Sequence, residues 1–469
     1  MAEEEIEERE AEREERIARL SGMVHERHFV QLRQELLRMD PPNIADVVQA
    51  LELEDEVIVF RLLSREVAAR TFEYLSFDAQ EELLKGLGDK DITSILNDMS
   101  PDDRTALLEE LPAKVTKRLL NLLSPDERTV ASRLLGYPED SIGRLMTPDY
   151  VAVREEWKVE EVLAHVRVFG RDSETLNVIY VVDDDGTLID DIRMREFLLV
   201  PPDSHVDDLM DHQFVALQAT DDQETAIALF RKHDRTALPV TDTGGALVGI
   251  VTVDDVLDVV EEEATEDIQK LGGSEALDEP YLTIALPRMI KKRATWLVFL
   301  LVGEMLTATA MGYFEKEIAR AVVLALFIPM IISAGGNTGS QAATLVTRAL
   351  ALGELRIRDW WYVLGRECIS GLGLGLILGI VGFARVTVWA VAFNLYGPHW
   401  LPVAATIGCA LVGVVLWGSI AGSMLPIVLK SLGADPAASS APFVATLVDV
   451  TGIVIYFTVA ATILRGILL

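Results

Sequence analysis

Five long apolar segments fill the last third of the chain, and they restrict its fold more than any other feature. A helix rises about 1.5 Å per residue, so about 20 apolar residues cross the hydrocarbon core of a bilayer, which is about 30 Å thick. Within lipid, a helix satisfies all of its own backbone hydrogen-bonding groups. The sequence therefore predicts an integral membrane protein with five transmembrane helices, at residues 294–313, 318–351, 360–392, 400–429 and 442–466.

Basic residues that flank these segments predict their orientation, because the cytoplasmic loops of membrane proteins carry an excess of Lys and Arg. One side has Arg288, Lys291, Lys292, Arg293, Arg348, Arg356, Arg358, Arg366 and Lys430. The other side has only Lys316, Arg320, Arg385 and Arg465. We therefore expect a multi-pass protein of the plasma membrane with a cytoplasmic N-terminus and an extracytoplasmic C-terminus.

The first part of the chain has a different composition and is strongly acidic. The formal net charge is −32, and nearly all of it comes from residues 1–270. Such a surface attracts cations and repels nucleic acid phosphates, so we expect no nucleic acid partner. Residues 1–27 form a charged tail without the apolar core of a secretory signal. Cys368 and Cys409 form no metal-binding pattern and no P-loop motif appears, so we expect neither a thiolate metal site nor an enzyme.

Residues 28–138 repeat a short helical unit. The segments LSFDAQEELLKGL, MSPDDRTALLEEL and LSPDERTVASRLL share a start signal and a leucine spacing of about three to four residues. Ser100 and Ser124 each precede a proline at a predicted helix start, and Ser124 with Glu127 predicts a capping box. Stacked helices of this length predict an all-α superhelical N domain. A role as a protein-interaction scaffold is equally compatible with these residues.

Residues 139–252 contain a second duplication. LMTPDYVAV returns as LMDHQFVAL, and IYVVDDDGTLIDDI returns as LPVTDTGGALVGIV. Each half has the pattern of a strand, a helix, two strands and a helix, and this order resembles an α+β tandem CBS pair with repeats at 139–203 and 204–252. CBS pairs often bind adenosine nucleotides through a Thr-x-x-Asp pattern, which Thr252 and Asp255 match. The pair is either an ATP site at these residues or an empty dimerisation module.

An acidic helix is predicted within the connecting segment at 253–275, just before the first membrane segment. Its expected apolar stripe consists of Val253, Val256, Leu257, Val260, Ala264 and Ile268. Eight carboxylates lie between Asp254 and Asp267 without a Lys or Arg to balance them. Like charges this close repel one another, and oxygen ligands of this kind suit hard cations such as Mg²⁺. The helix is therefore either an ion sensor or a solvated acidic face.

Three polar features interrupt the apolar segments. Asp449 lies well inside the fifth segment, where a carboxylate costs about 2.5–3.5 kcal/mol, and it has no cationic neighbour in the sequence. We expect it to bind a cation on a water-filled path, with a structural hydrogen-bonded role as the alternative. Glu304, in the first segment, has either a structural role or a transport role. The GGNTGSQ motif at 335–341 predicts an irregular break where freed carbonyls and Asn337 face ions, unless its small residues serve helix packing.

The chain as a whole resembles the MgtE family of magnesium transporters. The matching motifs are GGNTGSQ, DPAASSAPFVATLVDVTG (435–452) and GIVTVDDVLDVVEEEATEDIQKLG (249–272). The resemblance implies a multidomain fold: an all-α superhelical N domain, an α+β CBS pair, an acidic connecting helix that acts as a plug, and a five-helix α transmembrane domain at 276–469. It also implies a homodimer with one pore on its two-fold axis.

The resemblance further implies two kinds of Mg²⁺ site. In the pore, Asp449 would bind hydrated Mg²⁺, and Gly336 and Ala445 would shape the site. Regulatory sites for intracellular Mg²⁺ would comprise Asp222, Glu224, Asp234, Asp255, Asp258, Glu263, Glu266 and Asp267. Two positions depart from the pattern, since some members of the family have Asn where this chain has Ser340 and Ala441.

The predicted function is import of Mg²⁺ into the cytoplasm through a channel or transporter that intracellular Mg²⁺ closes. One alternative is a transporter of another divalent ion, such as Co²⁺, Ni²⁺ or Zn²⁺. The other is a membrane-anchored metal or nucleotide sensor that conducts nothing, which would not require the intramembrane Asp449.

Overall fold

The computed structural model describes residues 15–277, 281 and 284–468. Its contacts divide the chain into two compact units, Met1–Glu261 and Glu262–Leu469. Of the charged tail predicted at 1–27, residues 1–14 lie outside the described residues, and residues 15–25 are helical.

The first unit begins with a run of short helices, as the sequence repeats predict. They are α1 (Phe29–Leu36), α2 (Pro41–Gln49), α3 (Leu53–Leu62), α4 (Arg65–Glu73), α5 (Phe77–Gly86), α6 (Asp89–Asp98), α7 (Pro101–Glu110), α8 (Ala113–Leu120) and α9 (Pro125–Leu134). Apolar residues at helical spacing, such as Leu83, Leu107 and Leu108, are buried in one shared core. The predicted all-α N domain is confirmed.

The helix starts in this domain follow the predicted signals only in part. Ser124 Oγ accepts a hydrogen bond from the Glu127 backbone N–H (3.3 Å), which is one half of the predicted capping box. The other half is wrong, because the Glu127 carboxylate lies 2.5 Å from Arg104 Nη2 and the Ser124 backbone N–H donates to Asn97. Arg104 is fully buried, and a buried charge needs an opposite charge more than a helix end needs a cap.

The rest of the first unit consists of two similar three-stranded sheets with flanking helices. The first repeat contains α10 (Ile142–Leu145), β1 (Ala152–Val153), α11 (Val159–Phe169), β2 (Val178–Val182), β3 (Leu188–Arg193) and α12 (Met194–Leu199). The second contains a 3₁₀ turn (Asp207–Leu209), β4 (Leu217–Gln218), α13 (Glu224–His233), β5 (Ala237–Thr241) and β6 (Leu247–Thr252). In both sheets the central strand pairs parallel with the first strand and antiparallel with the last. The predicted α+β duplication is confirmed.

The acidic helix α14 (Val253–Leu271) follows β6 directly, as predicted. Its predicted apolar stripe is partly wrong. Val256 and Val259 are buried, whereas Leu257 is 62% and Ile268 is 70% exposed. Periodicity identifies an apolar face, but tertiary neighbours decide which of its residues are covered.

The second unit is helical, and its described residues contain five helices that are long and apolar enough to cross a membrane. In chain order the elements are α15 (Leu286–Tyr313), α16 (Glu315–Arg320), a 3₁₀ turn (Val322–Phe327), α17 (Ile328–Ala351), α18 (Trp360–Phe393), α19 (Trp400–Ser431) and α20 (Ala441–Leu464). In α19, 56% of the most apolar stretch is buried, against 6% in α15, so α15 lies at the edge of this bundle. The five predicted spans are confirmed.

The predicted break at the GGNTGSQ motif is wrong. Helix α17 continues through residues 335–341, and the irregular part of this span is the 3₁₀ turn before it. The glycines instead allow close packing. A Cβ atom on Gly339 would lie 3.0 Å from the Gly418 carbonyl oxygen and 2.8 Å from Val444, and one on Gly422 would overlap the Gly339 carbonyl oxygen. The packing alternative therefore describes this motif, since helices approach this closely only where small residues face each other.

Candidate functional site

The intramembrane site is formed where α20 faces α17. Asp449 lies in the third turn of α20, roughly 12 Å along the helix from its start. Its Oδ1 atom is 3.9 Å from the place where a Cβ atom on Gly336 would lie, and the Ala445 Cβ atom is 3.5 Å from that place. The structure thus brings together three of the four predicted pore residues. The fourth, Asn337, is exposed, and its amide donates a hydrogen bond to Ser333 Oγ within α17 (3.4 Å).

The charged neighbour of Asp449 is another acid. Glu304, on α15, lies within hydrogen-bonding distance of the Asp449 carboxyl group. Among the described residues, no Lys or Arg forms an ion pair with Asp449. An ionisable side chain in an apolar span without an opposite charge is a functional position by default, because its burial is expensive.

The two positions that depart from the family pattern are in contact. The Ser340 hydroxyl donates a hydrogen bond to the Ala441 carbonyl oxygen (3.1 Å). This contact joins α17 to the first residue of α20, about two turns before Asp449. A hydroxyl and a backbone carbonyl therefore provide the polar groups at these two positions.

A second group of acids lies in the first unit, where the N domain meets the two repeats. We call it the acidic cluster, and its members are Asp102, Asp103, Glu174, Asp254, Asp255 and Asp258. Asp102 is only 7% exposed, and its Oδ1 atom has no hydrogen-bond partner among the described residues. Burial raises the pKa of Asp102, and the charge of Glu174 adds to this effect. Burial, and then the charge of Asp102, raise the pKa of Asp255. A cation bound among these carboxylates would lower the pKa values of both Asp102 and Asp255.

The predicted Thr-x-x-Asp pair is present at the start of α14. The Thr252 backbone N–H and hydroxyl donate hydrogen bonds to Asp255 Oδ2 at 3.2 and 2.5 Å. Thr252 therefore fixes the orientation of the Asp255 carboxylate, which the charge of Asp102 also affects. The pair belongs to the acidic cluster as much as to a nucleotide site.

A cavity of about 310 Å³ lies at the corresponding place in the first repeat. Its lining includes Arg193, Arg195, Glu196, Asp211 and Arg235. Arg193 to Glu196 occupy the positions that Thr252 to Asp255 occupy in the second repeat. The volume falls in the range of small-molecule sites.

Three other predicted regulatory residues lie at the two ends of α13. Asp222 and Glu224 are at its start, where Asp222 Oδ1 accepts a hydrogen bond from the Glu224 backbone N–H (2.9 Å). Asp234 directly follows its last residue with a φ of 50°. The helix separates them by roughly 15 Å, so no single ion contacts all three within one chain.

The last turns of α14 form another charged site with the loop before α20. Lys270 Nζ lies 2.7 Å from Asp435 Oδ2 and 2.5 Å from Glu266 Oε1. Burial lowers the pKa of Lys270, but its hydrogen bonds to Asp435 and Glu266 outweigh this and raise the pKa above its ordinary value. Burial, followed by the charges of Asp435 and Glu263, raises the pKa of Asp267. The structure thus places Glu266 and Asp267 beside Lys270, and Glu263 lies near Asp267.

The sequence did not predict the roles of Asp102 and of the Lys270–Asp435 pair. Asp102 follows Pro101, the first residue of α7, so its sequence context is that of an ordinary acidic residue in the first turn of a helix. Lys270 and Asp435 are 165 residues apart, and no local pattern connects them. The available signal was that Lys270 is the first cation after the eight carboxylates of α14.

The fold and these sites define a class of protein. The five spans contain a carboxylate, Asp449, that has no cationic partner in the described part of the chain, and a unit with buried acids precedes them. Among the described residues, no group of three or more His, Cys, Asp or Glu side chains is placed to hold a metal ion. The protein is a multi-pass membrane protein with a helical N domain, a paired α+β repeat and a polar site within its spans.

Comparisons with known proteins identify the family. The MgtE family, described as divalent cation transporters, matches residues 328–459, the MgtE intracellular N domain matches 39–140, and CBS domains match 142–203 and 206–262. The magnesium transporter MgtE of Thermus thermophilus is 39% identical over 439 residues, which cover 93% of this chain and 96% of that protein. The magnesium transporter MgtE of Bacillus subtilis is 30% identical over 436 residues, with coverages of 90% and 94%. The chain belongs to the MgtE family of magnesium transporters.

Two solved structures resemble the soluble part. One is the cytosolic domain of the Mg²⁺ channel MgtE in complex with ATP, with 38% identity and a TM-score of 0.50 over 52% of this chain and 99% of that one. The other is the soluble part of a magnesium transporter, with 27% identity and a TM-score of 0.51 over 54% of this chain and 99% of that one. The predicted fold class, including the tandem CBS pair, is confirmed.

Proposed function

We propose that the protein imports Mg²⁺ into the cytoplasm through its five-span domain and that intracellular Mg²⁺ closes this path. The observation that carries the proposal is Asp449, a carboxylate in an apolar span beside Gly336 and Ala445, without a Lys or Arg partner among the described residues. Mg²⁺ sheds its waters reluctantly, so Asp449 would attract the hydrated ion. Asn337, whose side chain is exposed, would contribute polar contacts to the hydrated ion. The protein would act as a transporter and not as an enzyme.

The transport path would require two copies of the chain. One carboxylate does not neutralise a divalent ion, whereas two Asp449 side chains on a two-fold axis do. We therefore propose a homodimer in the plasma membrane. The bias of basic residues supports a cytoplasmic N-terminus and an extracytoplasmic C-terminus. A negative-inside potential would then drive inward flux by about 2.3 kcal/mol per charge per 100 mV.

The acidic cluster supports regulation by a hard cation. The buried Asp102 Oδ1 atom lacks a hydrogen-bond partner among the described residues, and it lies beside Asp255, so oxygen ligands for Mg²⁺ are present. The proposed regulatory residues are Asp222, Glu224, Asp234, Asp255, Asp258, Glu263, Glu266 and Asp267, joined by Asp102. Only a difference in affinity between two states shifts their populations, so Mg²⁺ would bind the closed state more tightly.

A nucleotide such as ATP is a second proposed ligand of the soluble part. The related cytosolic domain was solved in complex with ATP. In this chain the cavity in the first repeat has both basic and acidic groups in its lining. Arg193 and Arg195 would bind phosphates and Glu196 would bind ribose hydroxyls, although Arg195 also pairs with Glu196. Thr252 and Asp255 are the alternative site, but the charge of Asp102 disfavours an anionic ligand there.

Flux of Mg²⁺ into liposomes that contain the purified protein tests the transport proposal. Asp449→Asn keeps the shape of the side chain and removes its charge, so we expect flux near the background of empty liposomes. Glu354→Gln, an exposed acid between the second and third spans, is the matched control and should conduct like the wild type. Full flux in Asp449→Asn would remove Asp449 from the mechanism, and no flux in the wild type would favour the sensor alternative. Competition by Co²⁺, Ni²⁺ and Zn²⁺ identifies the transported ion.

Deletion of residues 1–270 tests the regulation. Without the acidic cluster and α14, Mg²⁺ on the cytoplasmic side should no longer reduce flux. If the shortened protein is inhibited as strongly as the full chain, the sensor lies in the membrane domain.

A further inference from the structure

Glu304 is held against Asp449 by a continuous seam between α15 and α20. At one end of the seam, Phe299 stacks on Phe443 with ring centroids 5.9 Å apart. Just past the last residue of α15, Phe314 stacks on Phe457 with ring centroids 5.0 Å apart. Residue numbers rise together along both helices, so the helices run in the same direction and their register is fixed at two points.

Between the two aromatic pairs, the helices come closer. A Cβ atom on Gly303 would lie 2.9 Å from Thr446 Cγ2, so the missing side chain of Gly303 permits this approach. The next residue, Glu304, lies within hydrogen-bonding distance of the Asp449 carboxyl group. The position of Glu304 therefore follows from the packing of both helices and not from a chance side-chain conformation.

A purely structural role for an intramembrane acid is visible elsewhere in the same domain. The Ser419 hydroxyl donates a hydrogen bond to Glu367 Oε2 on α18 (2.7 Å), which satisfies that carboxylate. Among the described residues, Glu304 has no basic or hydroxyl partner of this kind. Its neighbour is the acid assigned to the transported ion, and two adjacent carboxylates repel each other unless a cation or a shared proton lies between them.

We propose that Glu304 is a second acidic residue of the ion site, which acts together with Asp449 on the hydrated divalent ion. This inference rests on the proposed transport function. In a homodimer the site would carry four carboxylates, two from each chain. Coulomb attraction grows with the charge of the ion, so the additional pair would favour divalent over monovalent cations. Glu304 is thus a selectivity residue.

Flux measurements in proteoliposomes test this role. Glu304→Gln keeps the size of the side chain and removes its charge. The Mg²⁺ concentration at half-maximal flux should rise about tenfold, the effect of losing one charge contact. Block of Na⁺ flux by Mg²⁺ should weaken by about the same factor. Glu304→Asp retains the charge and should restore most of the apparent affinity. Glu367→Gln, at a third intramembrane acid, is the control and should keep the wild-type half-maximal concentration.

The outcomes separate this inference from the transport proposal. If Glu304→Gln reaches half-maximal flux at the wild-type Mg²⁺ concentration and Mg²⁺ blocks its Na⁺ flux as in the wild type, Glu304 is not part of the ion site. The transport proposal would still stand. If the wild type carries no Mg²⁺, the transport proposal itself fails. Size-exclusion profiles of all variants monitor folding. An equal loss in Glu304→Gln, Glu304→Asp and Glu367→Gln would assign the effect to helix packing and overturn the proposed role.

Discussion

Replacing Asp102 by Asn should make the first unit more stable in the absence of divalent cations and less responsive to Mg²⁺. The Asp102 carboxylate is 7% exposed, one of its oxygens has no hydrogen-bond partner among the described residues, and it lies beside Asp255. The amide of Asn fills the same space without a charge. The substitution therefore removes both the burial of a charge and its repulsion by the neighbouring acid.

The structure sets the size of this effect. A buried hydrogen-bonding group without a partner costs about 1–3 kcal/mol, and a charged group costs at least that much. In a unit of about 250 residues, 1 kcal/mol changes the melting temperature by about 2–4 °C. We expect Asp102→Asn to raise the melting temperature by about 4–8 °C in EDTA, near the middle of the resulting range. Mg²⁺ at about 100 times its dissociation constant should stabilise the wild type by about 2.7 kcal/mol and the variant by less than half of that.

Thermal melts of a fragment with residues 1–271, in EDTA and in saturating Mg²⁺, measure both quantities. Related soluble parts were solved as separate molecules, so such a fragment is a reasonable sample. Glu160→Gln, an exposed acid on α11, is the matched control and should leave both melting temperatures unchanged. If Mg²⁺ raises the melting temperature of Asp102→Asn as much as that of the wild type, Asp102 does not bind the ion and the reasoning from its burial is wrong.

Three further predictions concern other contacts of the two units. Burial raises the pKa of Glu73 to about 7 and that of Asp103 to about 6, so the folded state holds protons that the unfolded state releases. In EDTA, the free energy of unfolding of the same fragment should therefore fall as the pH rises from about 4 to about 7. Urea melts at a series of pH values measure this free energy. An increase over this range would contradict the raised pKa values of Glu73 and Asp103. Lys270→Gln breaks the contacts with Asp435 and Glu266, which are partly exposed ion pairs. Closure should then require about five times more Mg²⁺ in flux assays, the effect of about 1 kcal/mol; an unchanged Mg²⁺ response would show that these contacts do not hold α14. Gly422→Ala places a methyl group on the Gly339 carbonyl oxygen and should destabilise the membrane domain by about 1–3 kcal/mol. A lower yield of monodisperse protein than for Gly365→Ala, which meets no atom within 4 Å, would confirm it.

The sequence predicts the features of this protein that depend on local patterns. The five spans follow from apolar length, and the paired repeats follow from alternating strand and helix periods. Asp449 stands out because a lone acid in an apolar span has few explanations. These signals need no information about which distant residues meet.

The features that could not be predicted depend on contacts between distant parts of the chain. Asp102 and Asp255 come from different domains, and Lys270 and Asp435 are 165 residues apart. The GGNTGSQ motif shows a different limit, because glycine permits both a broken helix and close helix packing. The glycines on α19, which no local pattern links to the motif, decide between the two. The exposed Leu257 and Ile268 on α14 likewise depend on neighbours that periodicity does not reveal.

The glycine contacts between α17 and α19 have a mechanical consequence. Two backbones in direct contact, with carbonyl oxygens seated where side chains would be, cannot slide past each other without a clash. Because Val444 and Val448 of α20 also pack on this glycine surface, α17, α19 and α20 form a stiff wall that carries Asp449. Helix α15 lies outside this interlock, but Gly303 packs on Thr446 of α20, so it adds to the same wall from its outer side. A change in the width of the ion path would therefore require these helices to move together as one rigid body.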